Sequence, residues 1–302
     1  MQIHTGIHLG RTMKIIGWVG LLSFVWTCSA ERMLFDENWK FIQKDIPAAE
    51  EVTHSDSDWR MLDLPHDWTV EGEFDRKNPT TDRCGYLPTG IAWYRKTIDV
   101  PKAWKGKNVA IEFDGVFRNS TVYANGQKLG HRPYGWISFG YDISGLVNDS
   151  DQITFAVRVD NKEQHAARWY TGSGIYAHTW INVREPIHIP TSGIWIRTEG
   201  STVSIDTEIV NKTRKAEKSV VKTTVLDADG HAVASKESAV VVKMGETASA
   251  AQTLEIPEPK RWSPESPYLY RAVSEVLVGS KVVDRVETRF GVRDIEWIPG
   301  KG

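Results

Sequence analysis

"TVYANGQKL", Thr121 to Leu129, decides the fold. Asn125-Gly126 stands between two strand-like halves, and both residues tolerate the positive φ that a type I′ hairpin requires. The flanking stretches carry the same signal. In "ITFAVRV", Ile153, Phe155, Val157 and Val159 share one face, and Thr154, Ala156 and Arg158 share the other. In "AIEFDGV", Ile111 and Phe113 oppose Glu112 and Asp114. This is the period of a strand with one buried face.

The pattern breaks at "REPIHIPTSG" and then restarts. "VSIDTEIV" sets Val203, Ile205, Thr207 and Ile209 against Ser204, Asp206 and Glu208. "TTVLDADGHAVAS" reads as a hairpin through Asp229-Gly230, and "YRAVSEVLVGSKVVDRVETRFG" as another turning at Gly279-Ser280. No stretch after Ala30 keeps a helical period over three turns. Strands at this spacing predict an all-β chain of two antiparallel sandwiches. The first covers about residues 31–186, and a smaller one of immunoglobulin-like length covers about 187–292.

The 302 residues leave room for two such domains, and 40% hydrophobic with 25% charged content is ordinary for a globular chain. A net charge of -2 gives no reason to expect nucleic acid, which needs clustered Lys and Arg. Thirteen tryptophans are the compositional outlier. Large cores account for most of them; stacking on the C–H faces of pyranoses is the sharper reading.

Residues 1–30 read as a secretory signal, with Met13 as an alternative start. Arg11 and Lys14 precede the apolar run Ile15 to Trp26, which is too short to span a bilayer. Cys28 and Ala30 fit the small positions of a cleavage site after Ala30. Export to the periplasm or cell surface follows. A lipid on Cys28 is the alternative, although Val25-Trp26-Thr27 suits a lipoprotein signal poorly. The mature chain then keeps one cysteine, Cys84, so no internal disulfide is expected.

"RWYTGSGIYAHTW", Arg168 to Trp180, is the candidate functional string. A phosphate loop needs a following helix, and "IYAHTWINV" reads as a strand, so phosphate is excluded. The bland reading is a tight glycine turn into an edge strand, with Trp169 and Tyr170 packed beneath it. Neither His66-Asp67 nor His165 with His178 has the spacing of a metal site, and no metal or cofactor is expected. No Gly-x-Ser-x-Gly elbow occurs, which excludes an α/β-hydrolase. Asp67, Glu71, Glu73 and Asp75 lie within nine residues; a solvated acidic loop explains them more simply than a glycosidase carboxylate pair.

Five segments together resemble glycoside hydrolase family 2, most nearly the β-galactosidases of Bacteroides-type bacteria. They are "LPHDW" (64–68), "GYLPTGIAWYRKTI" (85–98), "FDGVFRNSTVYANGQKLGHRPYGWISFGYDIS" (113–144), "RWYTGSGIY" (168–176) and "RWSPESPYLY" (261–270). The resemblance implies a jelly-roll sugar-binding domain, then an immunoglobulin-like sandwich, then a (β/α)8 barrel holding both catalytic glutamates. Residues 293–302, within "RFGVRDIEWIPGKG", resemble the lead-in to that barrel. On this reading no catalytic residue lies in the chain. Arg168, Trp169, Tyr170 and, in the "YLPTG" patch, Tyr86 become candidate substrate-rim residues by paired hydrogen bonds and ring stacking. Ala177 departs from the family, whose members usually carry arginine after "GIY". The expected partner is a carbohydrate of β-galactoside type, and self-association through the barrel-facing surface is expected. A stand-alone carbohydrate-binding or adhesive sandwich pair is the competing reading. A β-glucuronidase or β-mannosidase of the same family is a third.

Overall fold

The computed structural model describes residues 31–163 and 170–300. The first ten strands are β1 (Glu31–Leu34), β2 (Trp39–Ile42), β3 (Arg60–Leu62), β4 (Ile91–Asp99), β5 (Asn108–Phe113), β6 (Ser120–Ala124), β7 (Gln127–Arg132), β8 (Phe139–Asp142), β9 (Gln152–Asp160) and β10 (Thr179–Arg184). They form two antiparallel sheets, of order β1-β10-β5-β8 and β3-β2-β4-β9-β6-β7. A short helix, α1 (Ser144–Asp149), joins β8 to β9.

The hairpin at Asn125-Gly126 forms as the sequence requires. Asn125 and Gly126 have φ of 48° and 76°, and Ala124 faces Gln127 across a two-residue loop. Asn125 also ties the turn to β9. Its Oδ1 accepts the Thr154 N–H at 2.8 Å, and its own N–H donates to the Thr154 carbonyl at 2.9 Å. Ile153, Phe155, Val157 and Val159 all lie in the core between the sheets, with Trp39, Ile111 and Phe113.

The opposite face of β9 is not the open face that simple alternation predicts. Thr154 and Ala156 are buried too. The chain after β2 folds back over this sheet, and Ala49 and Trp59 close on Trp93 and Ala156 as a small second core. Arg95 on β4 pins that cover. Only 2% exposed, it reaches Asp56 at 3.1 Å and donates to the carbonyls of Ala49, Glu51 and His54.

The second sandwich comprises β11 (Ile187–His188), β12 (Ile194–Glu199), β13 (Thr202–Asn211), β14 (Glu217–Leu226), β15 (Ala232–Val242), β16 (Thr247–Glu255), β17 (Tyr270–Val278) and β18 (Lys281–Phe290). One sheet runs β11-β13-β12, with β16 on the other edge of β13; the facing sheet is β15-β14-β17-β18. Val203, Ile205, Thr207 and Ile209 point inward, as their alternation predicts. Both expected hairpins are present. At the first, the Asp227 carboxylate accepts the N–H groups of Asp229 and His231 at 3.0 and 2.8 Å.

Asp284, on β18 and fully buried, ties the two sandwiches together. Its Oδ2 accepts the Ile189 N–H at 2.7 Å and lies 3.3 Å from the Arg184 guanidinium on β10. Arg184 closes the triangle by donating to the Ile189 carbonyl at 2.8 Å.

Candidate carbohydrate-facing rim

"LPHDW" and "GSGIY", distant in sequence, run side by side. The His66 N–H donates to the Ile175 carbonyl at 2.8 Å, and the Trp68 N–H to the Ser173 carbonyl at 3.1 Å. On its other side, Gly174 exchanges both backbone hydrogen bonds with Phe117, at 2.8 and 2.9 Å. The glycines are dictated by this crowding. Gly174 has φ 129°, and a Cβ there would stand 2.5 Å from both the His66 carbonyl and the Tyr94 hydroxyl. Gly172 has φ 72°, with Asp67 Oδ2 2.6 Å from where a Cβ would sit.

Ser173 is therefore a buried joint. It is 1% exposed, its Oγ accepts from Asn161 Nδ2 at 2.6 Å, and its N–H donates to Asp67 Oδ1 at 2.8 Å. The expected strand from Ile175 does not form at its first residues. Gly174 and Ile175 spend their backbone groups on Phe117 and His66, so β10 begins only at Thr179, where buried Asp36 accepts the Thr179 N–H at 2.7 Å. Nor is β10 an edge strand; it lies between β1 and β5.

Tyr170 does not pack beneath the turn. It is 41% exposed, and its hydroxyl donates to Asp67 Oδ2. Burial of the hydroxyl end, then the adjoining Asp67 carboxylate, raises the phenol pKa well above its usual range. Arg168 and Trp169 lie outside the described residues. Tyr86 is half-buried on the neighbouring loop, with φ 56° and its N–H donated to the Thr81 carbonyl at 2.7 Å. The two loops meet at Asn161, whose carbonyl accepts the Thr89 hydroxyl and whose amide donates to the Gly172 carbonyl at 3.0 Å. Between them is a cleft of only about 10 Å³, lined by Cys84, Pro88 and Thr89 against Tyr170 to Ser173. Tyr86 does not line it. The rim is thus an exposed edge of packed loops, without a sugar-sized cavity among the described residues.

The acidic stretch divides in two. Glu71, Glu73 and Asp75 are exposed, as a solvated loop requires. Asp67 is not solvated in that sense; it organises Thr69, Tyr170 and Ser173. Glu71 pairs with Arg60 at 2.8 Å. Arg60 also lies 2.9 Å from His66 Nε2, while His66 Nδ1 meets the Tyr94 hydroxyl at 2.7 Å. Burial lowers the His66 pKa, against the upward pull of Glu71. His178 is engaged by Asp36 at 2.6 Å. His165 lies outside the described residues.

Sequence reading passed over Asp67 and Asn161 as organisers. Asp67 stood in a crowd of acids, and Asn161 carries no motif. It also passed over Asp227, Asp229 and His231, whose ligand atoms lie within 4.8 Å of one another, but which the hairpin turn itself brings together. A glycosidase general acid needs a raised pKa. Among the described residues, every carboxyl with a displaced value is displaced downward, including Asp45, Asp56, Glu71 and Asp142.

Two antiparallel sandwiches in series, the first with the exposed Tyr170 at its loop rim, define the class as an all-β, two-sandwich chain. The sequence model for the sugar binding domain of glycosyl hydrolases family 2 matches residues 22–182, and a second model described as glycosyl hydrolases family 2 matches residues 187–293. The chain belongs to glycosyl hydrolases family 2. It is 39% identical over 277 residues to a beta-galactosidase of Bacteroides ovatus, covering 90% of this chain and 32% of the relative. It is also 39% identical to a putative beta-glucuronidase of Formosa agariphila, covering 92% and 27% respectively. The chain thus spans about a third of the length of these curated relatives. Among solved structures, a family 2 member from Bacteroides cellulosilyticus superposes with a TM-score of 0.84 at 33% identity, covering 88% of this chain and 36% of that one. A beta-glycosidase from Bacteroides vulgatus gives 0.80 at 35%, covering 90% and 35%. The described residues correspond to the two sandwich domains and include no (β/α)8 barrel.

Proposed function

We propose that this chain is the sugar-facing, non-catalytic N-terminal part of an exported β-galactosidase-like enzyme. The carrying observation is the 39% identity to the Bacteroides ovatus beta-galactosidase across 90% of this chain but only 32% of that protein. Retaining hydrolysis needs two carboxyl groups about 5–5.5 Å apart, one serving as nucleophile and one as acid and then base. In this reading both reside on a barrel beyond the two sandwiches. The sandwiches contribute the rim: Tyr170 and Tyr86 offer rings, and the roles proposed for Trp169 and Arg168 are stacking and paired hydrogen bonds to sugar hydroxyls. Exposed Trp297, at 80%, and Trp195, at 61%, support self-association when this chain is alone.

The apolar run Ile15 to Trp26 supports removal of residues 1–30 on export, checked by whether the secreted chain begins at Glu31. Sequencing the native gene past the Gly302 codon tests the larger proposal. An in-frame barrel with two glutamates supports it, and a stop codon there favours a stand-alone binder. The Formosa agariphila relative favours a glucuronide as second reading. Comparing nitrophenyl galactoside with nitrophenyl glucuronide on the full-length enzyme decides between the two sugars.

A further inference from the structure

The His66 ring is fixed on three sides and contested on the fourth. Its backbone N–H donates to the Ile175 carbonyl at 2.8 Å. Phe41 on β2 meets the ring edge to face, with centroids 4.5 Å apart. His66 Nδ1 lies 2.7 Å from the hydroxyl of Tyr94 on β4, a side chain fully enclosed in the core. The remaining nitrogen, Nε2, faces two partners of opposite kind. Arg60 Nη2, at the start of β3, lies 2.9 Å away, and Glu71 Oε1 lies 3.3 Å away. The same Arg60 nitrogen donates to both Glu71 carboxylate oxygens, at 2.9 and 2.8 Å.

A guanidinium carries only donors, and an ionised carboxylate only acceptors. Nε2 can therefore satisfy one of the two, and its proton decides which. Arg60 at 2.9 Å requires a lone pair on Nε2. That places the one proton of the neutral ring on Nδ1, where it donates to the Tyr94 oxygen. A second proton must go to Nε2. It sets donor against donor at Arg60 and offers Glu71 a charged hydrogen bond instead. The Nδ1 contact is the same in both states, so the change is confined to one atom.

The other ionisable neighbours are already committed. Asp67, next in the chain, accepts from Thr69, Tyr170 and Ser173, and burial holds the Tyr94 phenol neutral. Burial is the main force favouring the neutral His66 ring; Glu71 pulls the other way, and Arg60 and Asp67 add smaller, opposed pushes. Exchange of partner is thus expected below pH 6.5.

Glu71 also stands on a loop that is laid against the "YLPTG" patch. A Cβ at Gly72 would sit 2.0 Å from the Pro88 ring, and the Asp75 N–H donates to the Tyr86 carbonyl at 3.1 Å. We infer that His66 is a proton-operated partner switch, accepting from Arg60 when neutral and, when protonated, releasing Arg60 and drawing Glu71 inward with the acidic loop, residues 69–76. The loop carries the displacement to Tyr86. Only groups of the first sandwich take part, so the exchange does not depend on what the rim binds.

Long-range proton–nitrogen spectra of the whole chain with ¹⁵N-labelled histidine, from about pH 8 to 5, read the tautomer and titration of His66. Loss of one signal in His66→Gln assigns it. Hydrogen exchange of residues 69–76 over the same range, corrected for intrinsic rates, reads the loop. The wild type should show a neutral ring protonated at Nδ1 and a loop response with the midpoint of the ring. In Glu71→Gln the proton affinity of the ring should fall about threefold to tenfold, and the loop should stop responding although the ring still titrates. In Arg60→Gln the affinity should rise by a similar factor, which separates the switch from general loosening of the fold. A neutral ring protonated at Nε2, a silent loop in the wild type, or a loop that still responds in Glu71→Gln would each overturn the switch. Unfolding before the ring titrates would overturn it as well, leaving His66 a buried group that only limits stability.

Discussion

Asp67 holds Tyr170 in place. One carboxylate oxygen accepts the Tyr170 hydroxyl, and the other accepts the N–H of Ser173 at 2.8 Å and of Thr69 at 3.0 Å. A half-exposed ring is thereby fastened to a crowded joint of the first sandwich. Asp67→Ala should cost about 1–3 kcal/mol, because the Ser173 N–H loses its acceptor where water reaches poorly. Tyr170→Phe should cost less, since the carboxylate keeps its backbone donors. Urea midpoints measure both. Alkaline ultraviolet titration should also show one tyrosine of Asp67→Ala ionising at lower pH than in the wild type, because one cause of the raised phenol pKa is gone.

Gly174→Ala places a methyl 2.5 Å from the His66 carbonyl and the Tyr94 hydroxyl at φ 129°. Backbone and a buried phenol must both give way, and a loss of about 2–4 kcal/mol is expected. Gly200→Ala is the control: its φ of 59° is also positive, but nothing lies within 4 Å of the added carbon. It should cost only about 1 kcal/mol. Similar losses at the two sites would show that crowding at Gly174 is not the cause.

Arg95 is expected to govern the cover over the outer face of the six-stranded sheet. Arg95→Met leaves the three carbonyls without their shared donor while Asp56 keeps Lys40 at 2.6 Å, and a loss of about 1–3 kcal/mol is expected. Limited proteolysis should then cut between residues 44 and 58 first, while the hairpin at Asn125-Gly126 stays protected. Cleavage spread evenly along the chain would contradict this.

Acid should weaken the fold in two stages. His66 and His188 are both lowered from 6.5, chiefly by burial, so the folded state holds their neutral forms. Below their unfolded value the unfolded chain binds more protons, and stability falls as pH drops through 6.5 toward the folded values. Asp45, Asp56, Glu71 and Asp142 are lowered from 3.8 or 4.5; their contribution is present above those values and is lost as pH falls further. Thermal midpoints from pH 8 to 3 check this, and a flat profile between 7 and 5 would rule out the histidine stage.

Local chemistry made much of the fold legible. Asn125-Gly126 needs positive φ, and a period of two marks one buried face, so β6, β7, β9 and β13 were readable from their own residues. The cover over Thr154 and Ala156 was not. It depends on Arg95 meeting carbonyls of residues 49 to 54, and carbonyls leave no trace in a sequence. The helix at Ser144–Asp149 was too short to show a period. At the site, "RWYTGSGIY" was recognisable as a string, but its glycines answer to His66, Asp67 and Tyr94, about a hundred residues away. The division of Trp residues also became visible only in three dimensions. Trp39, Trp59, Trp68, Trp93 and Trp104 are buried, whereas Trp136, Trp195 and Trp297 are exposed.

Hydrolysis of nitrophenyl β-galactoside by purified residues 31–302, beside a full-length family 2 enzyme, is the most direct test of whether these sandwiches carry a reaction centre. Release of nitrophenol should match a heat-denatured blank. Saturable turnover that disappears in Glu71→Gln or another single carboxylate variant would place catalysis within the two sandwiches and contradict the division of labour proposed for them.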